Sequence, residues 1–213
     1  MLKTKLLICI ATWMAVTSAG AQTVTGNARY VDPFIGVDGG GNVFPGVCTP
    51  FGMVKLGPDC GNKDWNAGWN PDGNIHGFSH THVSGTGGGC KYGNVLMLPL
   101  TGDIHLEDYS SPRANENTVL GEYKVELPRY RTAARLTALS KAGTFPSSKD
   151  SKILFDLGSC LALQICETQR IVGSEVRILS NSTIEGYTRV RGGWNEGEAY
   201  TVYFYAETDT PAE

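Results

Sequence analysis

The chain has 213 residues, of which 41% are hydrophobic and 18% are charged, and its formal net charge is −3. That hydrophobic content is enough to build a core, and the absence of a basic stripe excludes nucleic acid and anionic membrane surfaces as expected partners. Glycine is frequent, at 27 residues, and clusters in Val37–Gly46 and Gly85–Gly93. The composition therefore predicts a globular domain with long, glycine-rich loops.

The first segment has the pattern of a secretory signal peptide. Lys3 and Lys5 precede an apolar stretch, Leu6–Val16, that is too short to span a bilayer, and Ala19–Ala21 supplies small residues before a cleavage site. We expect residues 1–21 to be removed and the mature protein to start near Gln22. The chain has no other candidate for a transmembrane anchor, which predicts export to the periplasm or the extracellular space.

The cysteines fit no metal-binding spacing. Removal of Cys9 leaves an odd number in the mature chain, namely Cys48, Cys60, Cys90, Cys160 and Cys166. Two interpretations stay open, because free cysteines often pack as small apolar side chains whereas an oxidising compartment permits a disulfide between Cys48 and either Cys60 or Cys90.

The mature chain begins with glycine- and proline-rich loops. Ala28–Gly46 contains three consecutive glycines but lacks the lysine and hydroxyl residue that end a phosphate-binding loop. A short strand is predicted at Met53–Leu56. The following segment, Asn62–Pro71, contains Trp65 and Trp69. Each ring either stacks on a sugar face, for which large amphipathic aromatics are suited, or caps the core.

The stretch Ile75–Gly93 predicts a strand that feeds a binding loop. Alternation along a strand would place His76, Phe78, His80 and His82 on one face, and glycines then allow a tight turn. His80 and His82 either donate hydrogen bonds to sugar hydroxyls or hold the loop internally. A zinc site formed by these two histidines lacks a third ligand motif.

The rest of the chain shows short alternating segments. The alternation is clearest in Gly121–Leu127, where Tyr123, Val125 and Leu127 share one face. Further strands are predicted at Asn94–Leu98 before Pro99, Arg131–Ser140, Lys152–Leu157, Leu161–Thr168, Glu175–Ser180, Thr183–Val190 and Tyr200–Ala206. Because no mature segment shows helical periodicity, we predict an all-β protein with a β-sandwich. We also expect the sandwich to be incomplete at its C-terminal end, where only a loop-like segment follows the last strand.

Several motifs occur in a fixed order that resembles a known family. VDPFIG, GGGNVFPG, PFGMVKLGPD, a tryptophan-containing loop and GFSHTHVSGTG lie within Val31–Gly102. In this order they resemble the N-terminal domain of glycoside hydrolase family 92, the calcium-dependent exo-acting α-mannosidases. Looser similarity continues in ILFDLG, STIEGYTRV and VYFYAET.

The resemblance implies a domain organisation. Family members have an N-terminal β-sandwich packed on a catalytic (α/α)6 barrel, which holds the acid, the base and most of the calcium shell. It implies a signal peptide at 1–21 and an N-terminal sandwich domain at 22–213, without the barrel. The expected partners are then mannose-containing glycans and that barrel, and calcium would belong to the full-length enzyme.

The resemblance also implies which residues take part. An inverting mechanism needs two carboxyl groups with water between one of them and the sugar. Asp59 and Asp64 are expected to be turn-forming loop acids, so we expect no catalytic residue and no metal ligand in this chain, which would be inactive alone. Trp65, Trp69, His80 and His82 are the expected substrate-binding residues, lining the mouth of the sugar pocket. The alternative is a stand-alone carbohydrate-binding sandwich that uses the same residues.

Overall fold

The computed structural model describes residues 5–9, 25–38, 42–60, 67–84, 92–139, 143–144, 152–161, 169–193, 197–209 and 211. The strands are β1 (Lys5–Cys9), β2 (Val47–Cys48), β3 (Lys55–Asp59), β4 (Gly77–Ser79), β5 (Leu96–Leu100), β6 (Ala114–Val119), β7 (Glu122–Leu127), β8 (Thr132–Ala138), β9 (Gly143–Thr144), β10 (Lys152–Asp156), β11 (Arg170–Ser180), β12 (Thr183–Arg191) and β13 (Tyr200–Glu207). Short 3-10 turns lie at Gly26–Tyr30 and Pro128–Tyr130. The prediction of an all-β protein is confirmed.

The strands form three antiparallel sheets. The six-stranded sheet has the order β1-β10-β5-β4-β3-β2, the four-stranded sheet β6-β7-β8-β9 and the three-stranded sheet β11-β12-β13. Both smaller sheets join strands that are neighbours in the chain, as hairpins and meanders do. The six-stranded sheet instead combines distant segments, since β5 pairs with β10.

The main core lies between the six-stranded and the four-stranded sheets, as expected for a β-sandwich. From the six-stranded sheet Leu56, Phe78 and Leu98 are fully buried, and they meet Tyr123 and Leu136 of the four-stranded sheet. Burial of such side chains stabilises the fold by roughly 1.5–3 kcal/mol each. This double layer is the β-sandwich that the sequence predicts.

A second, smaller apolar cluster lies on the opposite face of the six-stranded sheet. Met97, Ile153 and Phe155 contact Ile184 and Phe204 of the three-stranded sheet, and the rings of Phe155 and Phe204 stack with centroids 6.0 Å apart. β5 is therefore buried on both faces at all five positions. Such a strand has an uninterrupted apolar sequence rather than an alternating one, which explains LMLPL.

Some strand boundaries differ from the sequence-based predictions. Pro99 does not end β5 but lies inside it, opposite Ile153 of β10. β4 pairs with β5 only through Phe78 and Met97, so Pro99 lies beyond the part of β5 that β4 covers, where a missing N–H is tolerated. The strand predicted at Met53–Leu56 begins at Lys55 and continues to Asp59. Most of the strand predicted at Leu161–Thr168 lies outside the described residues.

The predicted alternation of β7 holds for its apolar face but not for every polar residue. Tyr123, Val125 and Leu127 are buried as expected, yet Glu122 is also buried, at 5% exposure. Its carboxylate forms ion pairs with Lys124 and Arg135. Burial opposes ionisation of Glu122, but the hydrogen bonds and charges of Lys124 and Arg135 outweigh it and keep its pKa below the usual value. The ion pairs thus allow the acid to be buried.

β1 lies within the segment assigned to the signal peptide. Its backbone pairs with β10 at the edge of the six-stranded sheet, from Lys5 opposite Asp156 to Cys9 opposite Lys152. Cleavage after residue 21 remains a prediction. Among the described residues, no helix is long and apolar enough to cross a membrane.

Candidate functional site

The segment from Ile75 onward departs from the predicted long strand. β4 ends at Ser79, so the alternation that was to place four aromatic and imidazole side chains on one face does not reach His80 or His82. Phe78 packs into the core against Tyr123, with ring centroids 6.3 Å apart. His82 instead lies beside Ser79, with His82 Nε2 3.4 Å from Ser79 Oγ. The prediction of one shared face is therefore wrong.

His82 forms a buried pair with Asp59. His82 Nε2 is 2.7 Å from Asp59 Oδ1, and His82 Nδ1 is 2.7 Å from the Lys55 carbonyl oxygen. The two residues are 3% and 4% exposed. Both ring nitrogens of His82 are thus engaged inside the protein, one by a side chain and one by the backbone. Asp59 is buried at the end of β3 and is not the turn-forming loop acid that the sequence predicts.

One aromatic side chain and one backbone segment pack directly on this pair. The Phe44 ring stacks on the imidazole with centroids 4.6 Å apart and an interplanar angle of 13°. On another side lies Gly68, whose φ of +97° favours glycine. A Cβ at this position would be 2.9 Å from Asp59 Oδ1 and 3.3 Å from His82 Nε2. The Gly68 backbone approaches the pair so closely because it carries no side chain.

Trp69, the residue after Gly68, is anchored inside the protein. Its side chain is 7% exposed, and its indole N–H donates to Glu116 Oε1 over 2.8 Å. The Arg113 guanidinium lies over the ring, 4.9 Å from its centroid, and Phe34 lies against it with centroids 5.7 Å apart. The ring therefore belongs to the core, as one of the two interpretations of the sequence allowed.

The Glu116 carboxylate also accepts a second hydrogen bond. Tyr123 donates to the same Oε1 atom over 2.6 Å. Burial, together with the nearby Glu116 charge, raises the pKa of Tyr123 well above its usual value, so Tyr123 keeps its proton and donates. Arg113 donates to the carbonyl oxygens of Asn70 and Pro71. The segment after Trp69 is thus tied to the four-stranded sheet.

His80 lies at the rim of the same region and is partly buried. Its Nδ1 is 2.9 Å from the Val95 carbonyl oxygen. Burial lowers the pKa of His80, although the hydrogen bond to Val95 opposes this. The ring is therefore neutral at neutral pH.

Several described residues that flank glycine-rich or polar segments meet at this end of the sheet, which we call the loop end. It contains Asp59, Gly68, His82, Tyr92, Asn94, Leu161, Gln169 and Tyr200. A Cβ on Gly93 would lie 2.6 Å from Leu161 Cγ, and Gln169 Nε2 donates to the Tyr92 carbonyl oxygen over 3.2 Å. Chain segments that are distant in sequence are thus packed together here.

Two buried amide atoms at the loop end have no hydrogen-bond partner within the part of the chain that the structure describes. They are Asn94 Nδ2 and Gln169 Oε1, and both side chains contact the Tyr200 hydroxyl, at 3.3 Å each. A buried polar atom left unpaired costs about 1–3 kcal/mol. A donor and an acceptor close to one hydroxyl group suit a bound water or another hydroxyl.

The four predicted binding residues thus differ in their placement. Trp65 lies outside the described residues, as does Asp64, while Trp69 and His82 are buried and His80 is at the rim. Sequence analysis missed two residues that contact Trp69, namely Glu116 of β6 and Arg113, which directly precedes β6. No local pattern could have indicated them, because the contacts join residues more than forty positions apart.

Of the cysteines in the mature chain, the structure describes Cys48, Cys60 and Cys160. Cys48 and Cys60 are both thiols, so the predicted alternative of a disulfide between them is wrong. Burial raises the pKa of Cys60 to about 12, which makes this thiol unreactive. Cys90 and Cys166 lie outside the described residues.

A metal site does not form from the side chains that the structure describes. No three His, Cys, Asp or Glu residues lie together among them, and both nitrogens of His82 already face acceptors. Calcium prefers six to eight oxygen ligands, and the Asp59 carboxylate is engaged by His82. The described residues therefore do not fit calcium.

The protein is an antiparallel β-sandwich domain. Its loop end brings together polar side chains from chain segments that are distant in sequence. A profile of the glycosyl hydrolase family 92 N-terminal domain matches residues 30–213. The chain belongs to glycoside hydrolase family 92, as the motifs predicted.

Solved structures and a curated protein are similar to this chain. A family 92 α-mannosidase from Bacteroides thetaiotaomicron, solved with mannoimidazole and also without it, is 32% identical with a TM-score of 0.75 over 86% of this chain. Another family 92 glycosyl hydrolase is 25% identical with a TM-score of 0.65. An uncharacterized secreted glycosidase of Arthroderma benhamiae is 40% identical over 85 residues, which are 39% of this chain and 11% of that protein.

The chain spans about a quarter of the length of the solved family members, namely 25% and 26%. What it shares with them is the N-terminal region of the family.

Proposed function

We propose that this chain is the N-terminal domain of a secreted, exo-acting α-mannosidase. In this proposal it contributes loops to the pocket for a terminal α-mannose. A separate barrel domain supplies the acid, the base and the calcium shell of an inverting reaction. The observation that carries the proposal is the likeness to the Bacteroides α-mannosidase over 86% of this chain, at 32% identity.

The arrangement of the loop end supports a role in positioning rather than in chemistry. Inversion requires an acid and a base on opposite sides of one sugar. The buried carboxylates of the described region are engaged elsewhere, Asp59 by His82, Asp156 by Tyr109 and Glu122 by Lys124 and Arg135. A domain of this kind contributes to rate by holding the sugar in place, and this helps only when the reacting groups are also present.

The predicted binding residues divide into two groups in this proposal. Trp65 and His80 contact the glycan directly, the first by stacking on a sugar face and the second by hydrogen bonding at the rim. Trp69 and His82 support the pocket without contacting the glycan, because their side chains already form internal hydrogen bonds. The Trp69 indole N–H donates to Glu116, and both His82 ring nitrogens are hydrogen bonded within the protein.

The test compares the chain with and without a barrel. Residues 22–213 are purified alone and joined to a family barrel, and both proteins are assayed with calcium and an aryl α-mannoside. We expect turnover only from the joined protein. Calcium-dependent turnover by the short chain, lost when an acid within it is replaced, would place the chemistry in the sandwich and refute the proposal.

A second measurement tests the pocket contribution. In the joined protein, Trp65→Ala should weaken mannoside binding by roughly 1–3 kcal/mol, by analogy with stacking of bases on aromatic side chains. Its thermal unfolding should be unchanged. Binding equal to that of the unmodified protein would remove Trp65 from the pocket.

A further inference from the structure

The Asp59–His82 pair is buried beneath Gly68, the residue that precedes Trp69. It lies where three parts of the loop end meet, since His82 follows β4, Asp59 ends β3 and Gly68 packs on both. The Asp59 backbone extends the connection, because the His76 N–H donates to its carbonyl oxygen over 2.8 Å. A buried polar pair is costly unless its hydrogen bonds are made, so it demands a defined geometry.

We propose that Asp59 and His82 are positioning residues that fix Gly68 and Trp69 for glycan binding. The His82 ring bridges the Lys55 carbonyl oxygen and the Asp59 side chain and so holds the end of β3 in one conformation. Directly after this end of β3, the Cys60 N–H donates to the Gly68 carbonyl oxygen over 2.7 Å. Because Gly68 immediately precedes Trp69, the pair sets where this segment leaves the sheet.

The geometry of Gly68 restricts the segment further. The space beside its α-carbon is filled by Asp59 Oδ1 and by Leu161 Cδ2, each closer than 3.0 Å to an ideal Cβ. The backbone therefore rests directly on the pair, and a shift of the carboxylate would move it. A displacement of about 1 Å at such a point can cost on the order of a hundredfold in rate.

The chain offers a matched control in a second buried carboxylate. Asp156 ends β10 as Asp59 ends β3, and both residues are 4% exposed. Asp156 accepts from the Tyr109 hydroxyl over 2.6 Å and from the Gly158 N–H. Asp156→Asn thus perturbs a similar buried acid whose hydrogen bonds with Tyr109 and Gly158 involve neither Gly68 nor Trp69.

The first test is made on the full chain by amide hydrogen exchange. Asp59→Asn and His82→Gln should each speed exchange of the Cys60 amide roughly tenfold relative to the Val125 amide in the core. Asp156→Asn should leave this ratio unchanged even if it lowers global stability equally. Equal changes of the ratio in all three variants would overturn the proposal and make the pair an ordinary stabilising contact.

A measurement on the unmodified chain does not depend on how the variants fold. Nitrogen NMR of the imidazole should show both His82 nitrogens engaged in hydrogen bonds, one with the Lys55 carbonyl oxygen and one with Asp59. A ring nitrogen without a hydrogen bond would contradict the bridge on which the positioning depends.

The link to glycan binding rests on the proposed function and is tested separately. In the chain joined to a family barrel, Asp59→Asn should raise KM for the mannoside roughly tenfold and change kcat less, whereas Asp156→Asn should alter neither. An unchanged KM with an altered exchange ratio would limit the pair to a structural role. If the unmodified joined protein shows no turnover, the proposed function fails, while the exchange and NMR results still decide whether the pair fixes the segment.

Discussion

The interior of the sandwich and its loop end are stabilised by different interactions. Between the two large sheets the contacts are almost entirely apolar, as with Leu98 against the four-stranded sheet. At the loop end the hydrogen-bonded Asp59–His82 pair and side-chain contacts with backbone carbonyls hold the chain. Apolar burial tolerates substitutions of similar size, whereas removing one partner of a buried hydrogen bond leaves the other unsatisfied. The loop end is therefore the more easily disturbed of the two.

Trp69 joins both regions, and its removal should have the largest effect. Trp69→Ala deletes a buried ring and leaves Glu116 without one of its donors, which we expect to lower the free energy of unfolding by about 4 kcal/mol. Chemical denaturation measures this. Trp69→Phe keeps most of the ring and should cost clearly less, and equal losses in the two variants would show that the hydrogen bond to Glu116 dominates.

Leu98→Ala tests the interior alone. Leu98 is fully buried in β5, so its truncation leaves a cavity and should cost about 3 kcal/mol of unfolding free energy. Leu120→Ala, at a position 55% exposed, is the control and should be close to neutral. Amide protection at the loop end, measured in the same variant, should fall only as far as global stability does. A larger local loss would show that the two regions are not independent.

His80 provides a pH-dependent contrast with the interior. Its pKa is lowered in the folded protein, so between the folded pKa and the ordinary value of 6.5 the unfolded chain binds more protons. Stability from this group is therefore complete above about pH 6.5 and falls as the pH is lowered through that range. Denaturation at several pH values should show this loss, and His80→Gln should reduce it. His76→Gln should reduce it as well, since burial also lowers the pKa of His76. A pH dependence left intact by both variants would assign it to other groups.

The smallest effect is expected on the outer face of the three-stranded sheet. Tyr203 and Tyr205 are 77% and 60% exposed, so removing either ring takes little from the interior. Each Tyr→Ala variant should change the free energy of unfolding by no more than about 0.5 kcal/mol. A loss as large as that of Leu98→Ala would mean that this face is covered in solution.

Sequence analysis predicted the interior better than the loop end. Period-two patterns in β7 and apolar runs in β10 are local signals, and burial confirms them. Family motifs identified the loop segments, yet the placement of Trp69 and the pairing of His82 with Asp59 depend on residues distant in sequence. The histidine face was mispredicted because strand periodicity was extended past Ser79, where regular strand geometry ends although backbone hydrogen bonds continue at His80 and Thr81. A short strand followed by a glycine-rich segment gives no local sign of where the ladder stops.

The connectivity of the three sheets has a consequence for the order of folding. β6 to β9 and β11 to β13 each join chain neighbours, so both outer sheets can form from local contacts soon after their residues are available. The six-stranded sheet cannot be completed until β10 reaches β5, which requires closing the chain between Leu100 and Lys152. Closure of a long segment carries an entropic cost before its contacts form. The central layer should therefore be assembled last, and until then the apolar faces of both outer sheets lack their common partner.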